Sequence, residues 1–347
     1  MNIHEKYIKR CIELAQNGLG TTYPNPMVGS VIVHKNKIIG EGWHKKAGEA
    51  HAEVNAINSV KDERLLKEST IYVCLEPCSH FGKTPPCSDL IIAKGIKRVV
   101  MGTMDPFAKI AGRGIKKLLD AGCEVKVGIL EAECLELNKR FFTFHQKQRP
   151  YIILKWAQTN DGFIAPESRE KKRPVWITNK YSGQLVHKWR SEEAAILVGT
   201  STVMADNPAL NVRKWTGNDP VRITVDKDLK ISEDSSILDG GQKTIILCKD
   251  KPENSVKDNL IFEEIDFSEN IANEICRILY KNELQSVIIE GGSKTIQQFL
   301  EANLWDEARV FTGNSHFGNG VKAPEISAFP LSEKRISEDN LKIYRNA

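Results

Sequence analysis

The sequence predicts an α/β protein of two domains, and three observations carry that expectation. Its 347 residues exceed what a single ordinary core of ~150 residues serves. Apolar strand-like runs alternate with helical spacings along most of the chain, as mostly buried sheets covered by helices require. A polar segment ending in proline, Gln146-Lys-Gln-Arg-Pro150, interrupts the alternation and divides it into residues 1–145 and 146–347.

In the first part, Ile3, Tyr7, Ile8, Cys11, Ile12 and Ala15 share one face of a helix over 3–17, which Gly18 stops. After Tyr23-Pro-Asn-Pro26, a hairpin pairs Val28–Val33 with Lys37–Gly40 around Lys35-Asn36. The stretch AHAEVNAINSV has helical spacing from just after Gly48-Glu49, with His51 and Glu53 in its first turn. A strand, Ile71–Leu75, ends at Pro77; Thr84 is a good N-cap and Pro85-Pro86 suit a helix start, making Cys87 a first-turn residue. The strand RVVMGTMD, the helix IKKLLDAG, the strand CEVKVGIL and a connecting helix over 129–145 complete this part.

The second part opens with the strand YIILKWAQT. Helix 181–192, the strand AAILVG, a loop over Ser201–Arg213 and the strands VRITVD and TIILC follow. A helix near 268–281, the strand SVIIEGG, the helix SKTIQQFLEAN and the strand EARVFTG come last.

Composition narrows the function. With 41% hydrophobic and 27% charged residues, the chain reads as soluble and globular rather than disordered. The opening NIHEKYIKRCIELAQNG lacks the apolar core and cleavage site of a signal peptide, and no apolar run reaches the ~18 residues of a membrane span. A cytoplasmic protein with no membrane partner is therefore expected. Eight cysteines are too sparse for a disulfide scaffold, so a cluster of them in a reducing compartment suggests metal or catalysis. A net charge of +4 without a long basic block gives no support for a nucleic-acid partner and suits a small anionic substrate.

That cluster is CLEPCSHFGKTPPC, Cys74 to Cys87. His51, Cys78 and Cys87 stand out as donors, and one histidine with two cysteines describes a catalytic zinc site that keeps a coordination position open. Glu53 is not needed as a ligand and suits proton transfer. H-x-E followed by P-C-x-x-C is the zinc nucleobase-deaminase signature; here His51-Ala52-Glu53 and Pro77-Cys78 are intact, and SHFGKTPP widens the gap between the cysteines. Any one of these pieces alone is most often structural. His44, His80 and Cys74 compete as ligands, but Cys74 lies in a strand, where free cysteine packs as a small hydrophobe, and the histidines suit substrate contacts or ordinary polar positions. Cys11, Cys123, Cys134, Cys248 and Cys276 are scattered and read as core.

HAEVNA, LEPCSHFGKTPPC and PNPMVGSVIV together closely resemble the first half of the bifunctional riboflavin-biosynthesis deaminase/reductases of the RibD type, in which the widened cysteine spacing is the norm. The resemblance covers nearly the whole chain. It implies a cytidine-deaminase-like domain over 1–145, with zinc on His51, Cys78 and Cys87 and Glu53 as proton shuttle. The implied substrate is 2,5-diamino-6-ribosylamino-4(3H)-pyrimidinone 5′-phosphate, which loses its C2 amine.

KWAQTNDG, WIT, ILVGTSTVMADNPALNVR, ITVDK and IIEGGSKT resemble the family's dihydrofolate-reductase-like reductase domain, expected over 146–347. The resemblance implies hydride transfer from NADPH to C1′ of the ribosyl group, giving 5-amino-6-(5-phosphoribitylamino)uracil. NADPH contacts carry over onto Ala157, Trp176, Thr202, Asp206 and Lys227, and onto Gly292, Ser293, Lys294, Thr295, Ile296, Gln297 and Gln298. Substrate contacts carry over onto Arg190, Leu210, Arg213 and Glu290. Lys155 is an expected neighbour of the ribose carbonyl. Gly291-Gly292 independently suits a phosphate approaching a helix start, and both arginines suit the substrate phosphate.

Two departures stand out. Thr159-Asn160-Asp161-Gly162 replaces the usual S-L-D-G, and Pro174 occupies a position where a polar substrate contact is common, although proline offers no N–H. Expected partners are thus a small pyrimidine ribose phosphate and further copies of the chain in a homo-oligomer. The alternatives are a zinc deaminase acting on tRNA or a nucleotide, with a vestigial reductase domain, and a non-catalytic zinc-stabilised interaction protein closed by a fourth ligand such as His44 or His80.

Overall fold

The computed structural model describes residues 2–80, 85–106, 112–168, 174–253 and 258–346. It divides into two compact units, Met1–Gln148 and Arg149–Ala347, each with its own sheet.

The first unit contains α1 (Ile3–Ala15), β1 (Gly29–His34), β2 (Lys37–Trp43), α2 (Ala52–Asn58), β3 (Thr70–Leu75) and α3 (Cys87–Ala93). They are followed by β4 (Arg98–Thr103), α4 (Arg113–Asp120), β5 (Glu124–Lys126), α5 (Glu131–Leu137) and α6 (Lys139–Lys147). Its sheet has the order β2-β1-β3-β4-β5. β3, β4 and β5 run parallel, while β1 is antiparallel to both β2 and β3. Successive strand residues point to opposite faces: Val31, Val33, Tyr72 and Cys74 pack with Tyr7, Ile8, Cys11 and Leu14 of α1. On the other face, Ile32, Ile71, Val73 and Val99 pack with Ala56, Ile57, Ile91 and Leu118. A helix–sheet–helix sandwich results.

Close backbone contact places α2. A Cβ on Gly40 would lie 2.5 Å from the Ala56 oxygen, and one on Gly42 would lie 2.4 Å from the Ala56 nitrogen. These glycines let α2 settle directly on β2, and they fix where its first residues point.

Local details differ from the sequence expectations. His51 is the N-cap of α2, in extended backbone, rather than a first-turn residue, while Glu53 lies within the first turn. Pro86 directly precedes α3; Thr84, expected as the N-cap, lies outside the described residues. The helix expected over 129–145 is two helices that break at Asn138. The buried Asn138 amide accepts from the Met27 N–H at 2.8 Å and donates to the Met27 oxygen at 2.9 Å, a tertiary demand that helical spacing does not reveal.

The second unit contains β6 (Tyr151–Gln158), β7 (Phe163–Pro166), α7 (Lys180–Glu192), β8 (Ala195–Gly199), α8 (Thr200–Asp206), β9 (Val221–Val225), β10 (Thr244–Cys248) and β11 (Leu260–Glu264). α9 (Ile271–Lys281), β12 (Ser286–Gly291), α10 (Ser293–Glu301), β13 (Glu307–Thr312), β14 (Gly320–Lys322), β15 (Ser332–Ile336) and β16 (Asp339–Arg345) follow. The main sheet has the order β11-β10-β9-β8-β12-β6-β13-β16-β15. It is parallel from β11 to β13 and is finished by the antiparallel pair β16 and β15. Its central strands are continuously apolar, as strands covered on both faces must be: Ala195–Val198 and Val287–Ile289 are all buried.

Where the sequence suggested a loop from Ser201, α8 forms instead, anchored by buried Val203 and ended by Asn207 at φ 43°. The Ser/Thr-rich run masks that helix. The closing pair β15–β16 was not expected either, because β15 is an exposed, charged edge without an apolar signal. Among the described residues, no helix is long and apolar enough to cross a membrane.

Candidate active sites

In the first unit, β3 ends at Leu75 and the chain turns through Pro77 to Cys78, while α2 and α3 each begin beside that turn. Nδ1 of His51 lies 3.5 Å from Sγ of Cys78 and 3.3 Å from Sγ of Cys87, and the three donor atoms lie within 4.8 Å of one another. Tetrahedral zinc with Zn–S of about 2.3 Å and Zn–N of about 2.0 Å calls for N···S edges of roughly 3.5 Å. The donor set therefore fits zinc in both chemistry and spacing. The Cys87 N–H donates to Sγ of Cys78 at 3.3 Å. Hydrogen bonds from the Cys87 thiol and amide, together with His51, hold Cys78 well below the ordinary thiol range, the state a metal ligand needs. The Cys78 sulfur in turn raises His51.

Glu53 is 3% exposed. Burial and then the Cys78 sulfur push its carboxyl up to about 7, where a group can both take and return a proton near neutrality. Cys74 is fully buried, and burial pushes its thiol up to about 12; it packs in the α1-side core. The five scattered cysteines are buried and free as well.

His44 stands beside the site, its ring centroid 5.4 Å from that of His51. Nδ1 of His44 is 3.1 Å from the Ala50 oxygen and Nε2 is 3.1 Å from Nδ2 of Asn25. Since Ala50 offers only an acceptor, the proton belongs on Nδ1 and Nε2 accepts from Asn25. Burial lowers the His44 pKa, which keeps the ring neutral. With both nitrogens engaged, His44 is not placed as a fourth ligand, and His80 is exposed and outside the donor group. Asn25 was missed by sequence reasoning; its position in PNPMVG between two prolines was the available signal.

In the second unit, the expected cofactor residues other than Trp176, which is exposed in the segment before α7, lie at or after the carboxyl ends of the parallel strands, where ligands of such sheets bind. Ala157 is near the end of β6, Thr202 and Asp206 are on α8 after β8, Lys227 follows β9, and Gly292 to Gln298 follow β12. Gly291 has φ 134°, which side chains rarely adopt. Thr202 Oγ1 would stand 3.2 Å from a Cβ on Gly292, so the two elements meet. Ser293 Oγ donates to the Lys322 oxygen at 2.9 Å and Gln297 Oε1 accepts from the Glu325 N–H at 3.3 Å. Ile296 is fully buried, and its N–H donates to the Gly292 oxygen at 3.1 Å. Lys294, Thr295 and Gln298 complete the first turns of α10.

The expected substrate residues split into two groups. Arg190 donates to Glu290 through Nε at 2.8 Å and Nη2 at 2.7 Å, and through Nη1 to the Asn211 oxygen at 3.3 Å. Lys155 Nζ lies 3.7 Å from Glu290, and burial lowers its pKa. Leu210 is 2% exposed and packs in the core at φ 53°. Arg213 remains exposed, donating to Oδ1 of Asn211 at 2.7 Å. Arg190 is thus committed to Glu290, whereas Arg213 presents its charge outward. Pro174 is exposed. Nearby, Lys214 lies over the Trp176 ring at 5.4 Å, and Lys180, Tyr181, Gln184 and Lys214 line a shallow groove.

Comparison with known proteins finds a family match in each unit. Residues 1–103 match the cytidine and deoxycytidylate deaminase zinc-binding region, and residues 150–337 match the RibD C-terminal domain. The chain is 40% identical over 347 residues to riboflavin biosynthesis protein RibD of Aquifex aeolicus, covering 99% of this chain and 94% of that one. It is 36% identical over 349 residues to RibD of Escherichia coli, covering 95% and 92%. A crystal structure from Thermotoga maritima, described as a diaminohydroxyphosphoribosylaminopyrimidine deaminase/5-amino-6-(5-phosphoribosylamino)uracil reductase, superposes with a TM-score of 0.89 at 36% identity, covering 99% of each chain. With a zinc-type donor set in one unit and a nucleotide-type strand edge in the other, the chain belongs to the RibD family of bifunctional riboflavin biosynthesis enzymes, in which a deaminase domain precedes a reductase domain.

Proposed function

We propose that the first unit deaminates 2,5-diamino-6-ribosylamino-4(3H)-pyrimidinone 5′-phosphate and that the second reduces the resulting ribosylaminouracil phosphate with NADPH. The observation that carries the first half is the convergence of His51, Cys78 and Cys87 beside a buried carboxyl that is not one of the donors. Bound zinc supplies Lewis acidity, which makes water a competent nucleophile near neutrality. Glu53 takes a proton from the attacking water and delivers it to the departing amine, so that the C2–N bond breaks and ammonia leaves as the C2 oxygen is gained. Asn25, whose amide nitrogen is held by His44 beside the site, is suited to orienting a pyrimidine through its amide oxygen.

For the second half, the cofactor supplies a hydride to C1′. The ring oxygen released at C1′ needs a proton, and Lys155, buried beside Glu290, is the nearest expected source. Glu290 holds that ammonium in place, and Arg190 fixes the Glu290 carboxylate. Thr202, Asp206, Lys227 and the Gly292–Gln298 turn bind NADPH, with Trp176 and Ala157 lining its path, while Arg213 receives the substrate phosphate. Leu210 shapes the pocket wall, and Pro174 contributes at most a van der Waals surface.

The enzyme is further proposed to act without nucleic acid, in the cytoplasm and as a homo-oligomer, which light scattering of the purified chain tests. The central experiment assays the two half-reactions separately. Ammonia release from the diaminopyrimidine phosphate, dependent on zinc, together with NADPH oxidation by the uracil product supports the reading. Zinc-loaded protein that releases no ammonia overturns it.

A further inference from the structure

Glu76 is a buried carboxylate that the chemistry above leaves unused. It is 4% exposed and stands two residues before Cys78. Its two oxygens accept four backbone N–H groups: Oε1 from Gly114 at 2.9 Å and Ile115 at 3.2 Å, and Oε2 from Gly112 at 3.0 Å and Asp105 at 3.3 Å. Its own N–H donates to the Thr103 oxygen at 2.9 Å. Asp105 follows β4, and Gly112 to Ile115 form the start of α4. One side chain at the end of β3 therefore ties down both ends of the β4–α4 connection.

The same contact recurs in the backbone. A Cβ on Gly114 would lie 2.2 Å from the Pro77 oxygen, so the first turn of α4 rests on the peptide that leads into Cys78. β3 and β4 are parallel neighbours, with Leu75 opposite Thr103, and substrates of such sheets lie outside the carboxyl ends of the strands. A cap on α4 alone would need only the Gly114 and Ile115 amides; the Asp105 and Gly112 bonds reach beyond the helix.

We infer that Glu76 is a positioning residue of the deaminase, locking Asp105 and the Gly112–Ile115 turn against the Pro77–Cys78 turn so that they form a fixed wall of the pyrimidine site. None of its four bonds goes to a metal donor, so the role concerns substrate placement rather than metal retention. The inference rests on the deaminase reading above.

The test is Glu76→Gln, which keeps one oxygen for two amides and turns an NH2 group toward the other two. Gly114→Ala is the second variant, since it keeps the Glu76 carboxylate chemically intact but pushes the same helix start off the Pro77 oxygen and off the Glu76 side chain, which a Cβ would approach to 3.1 Å. In both, zinc content and the reductase kinetics stay as in the wild type, KM for the diaminopyrimidine phosphate rises about tenfold or more, and kcat changes less. An unchanged KM at full zinc content overturns the inference, as does a loss of deamination that simply tracks a loss of zinc. If Glu76→Gln fails to fold, which a lost thermal unfolding transition of the first unit reports, Gly114→Ala decides by the same readings. Wild-type enzyme that holds zinc but releases no ammonia sinks the deaminase reading itself; active wild type with unaffected variants sinks only the role of Glu76.

Discussion

Arg190 and Glu290, a hundred residues apart in sequence, face each other in a two-pronged pair with N···O distances of 2.8 and 2.7 Å. Both are largely buried, and Lys155 adds a second cation 3.7 Å from the same carboxylate. Burial alone would raise the Glu290 pKa; Arg190 and Lys155 outweigh it and hold the carboxyl at about 2, against an ordinary 4.5. A depressed carboxyl contributes stability that is fully present above the ordinary value and is lost as pH falls through the folded one. The reductase unit should therefore unfold at progressively lower denaturant concentration as pH falls from 4.5 to 2. Glu290→Gln should cost about 3–5 kcal/mol at neutral pH, because it leaves a buried guanidinium unpaired, and should flatten that acid limb.

Glu53→Gln removes the proton carrier but keeps the side-chain volume. Deamination should fall by about 10²–10⁴-fold, while zinc content and NADPH oxidation stay at wild-type levels. Ammonia release, elemental analysis and reductase assay on one preparation check all three. A parallel loss of zinc would make Glu53 a ligand rather than a proton carrier.

Metal removal should separate the two activities. Chelation should abolish ammonia release and leave the reductase intact, with zinc restoring the former, since the three donors all belong to the first unit. Cys87→Ser replaces a soft thiolate with a weak hydroxyl ligand, and should lower zinc stoichiometry well below one per chain. Cys74→Ser should retain full zinc, because that sulfur packs in the α1-side core.

The metal site was legible in the sequence because its chemistry is local: H-x-E and P-C each set two side chains on one turn, and helix starts put the donors within reach. His51 as N-cap, rather than a first-turn residue, shifts its position by one without changing the elements that meet. The α/β class and the buried central strands followed from apolar runs in the same way, whereas the order of strands within each sheet comes from the structure. What stayed hidden depends on partners far along the chain. Asn138 breaks a helix for the sake of Met27, the four amides that surround Glu76 come from two distant segments, and the Arg190–Glu290 pair spans a hundred residues. The edge strand β15 carries charges instead of a pattern, so periodicity could not announce it.

Arg213 is the exposed arginine of the expected pair, and its neighbour Lys214 lies over the Trp176 ring at 5.4 Å. Two phosphomonoesters could use that charge, the 5′-phosphate of the reductase substrate and the 2′-phosphate of NADPH. A guanidinium offers bidentate contacts to either, whereas an ammonium acts as a point charge. Arg213→Ala should raise KM for the ribosylaminouracil phosphate by roughly tenfold, the loss of one charge-assisted hydrogen bond of about 1.5 kcal/mol, with KM for NADPH unchanged. Arg213→Lys should recover only part of it. If instead KM for NADPH rises and the preference over NADH shrinks, the arginine reads the cofactor and the substrate phosphate must lie elsewhere, the groove between Lys180 and Lys214 being the next surface to test. Deamination, measured in the same variants, should not move, because Arg213 belongs to the second unit.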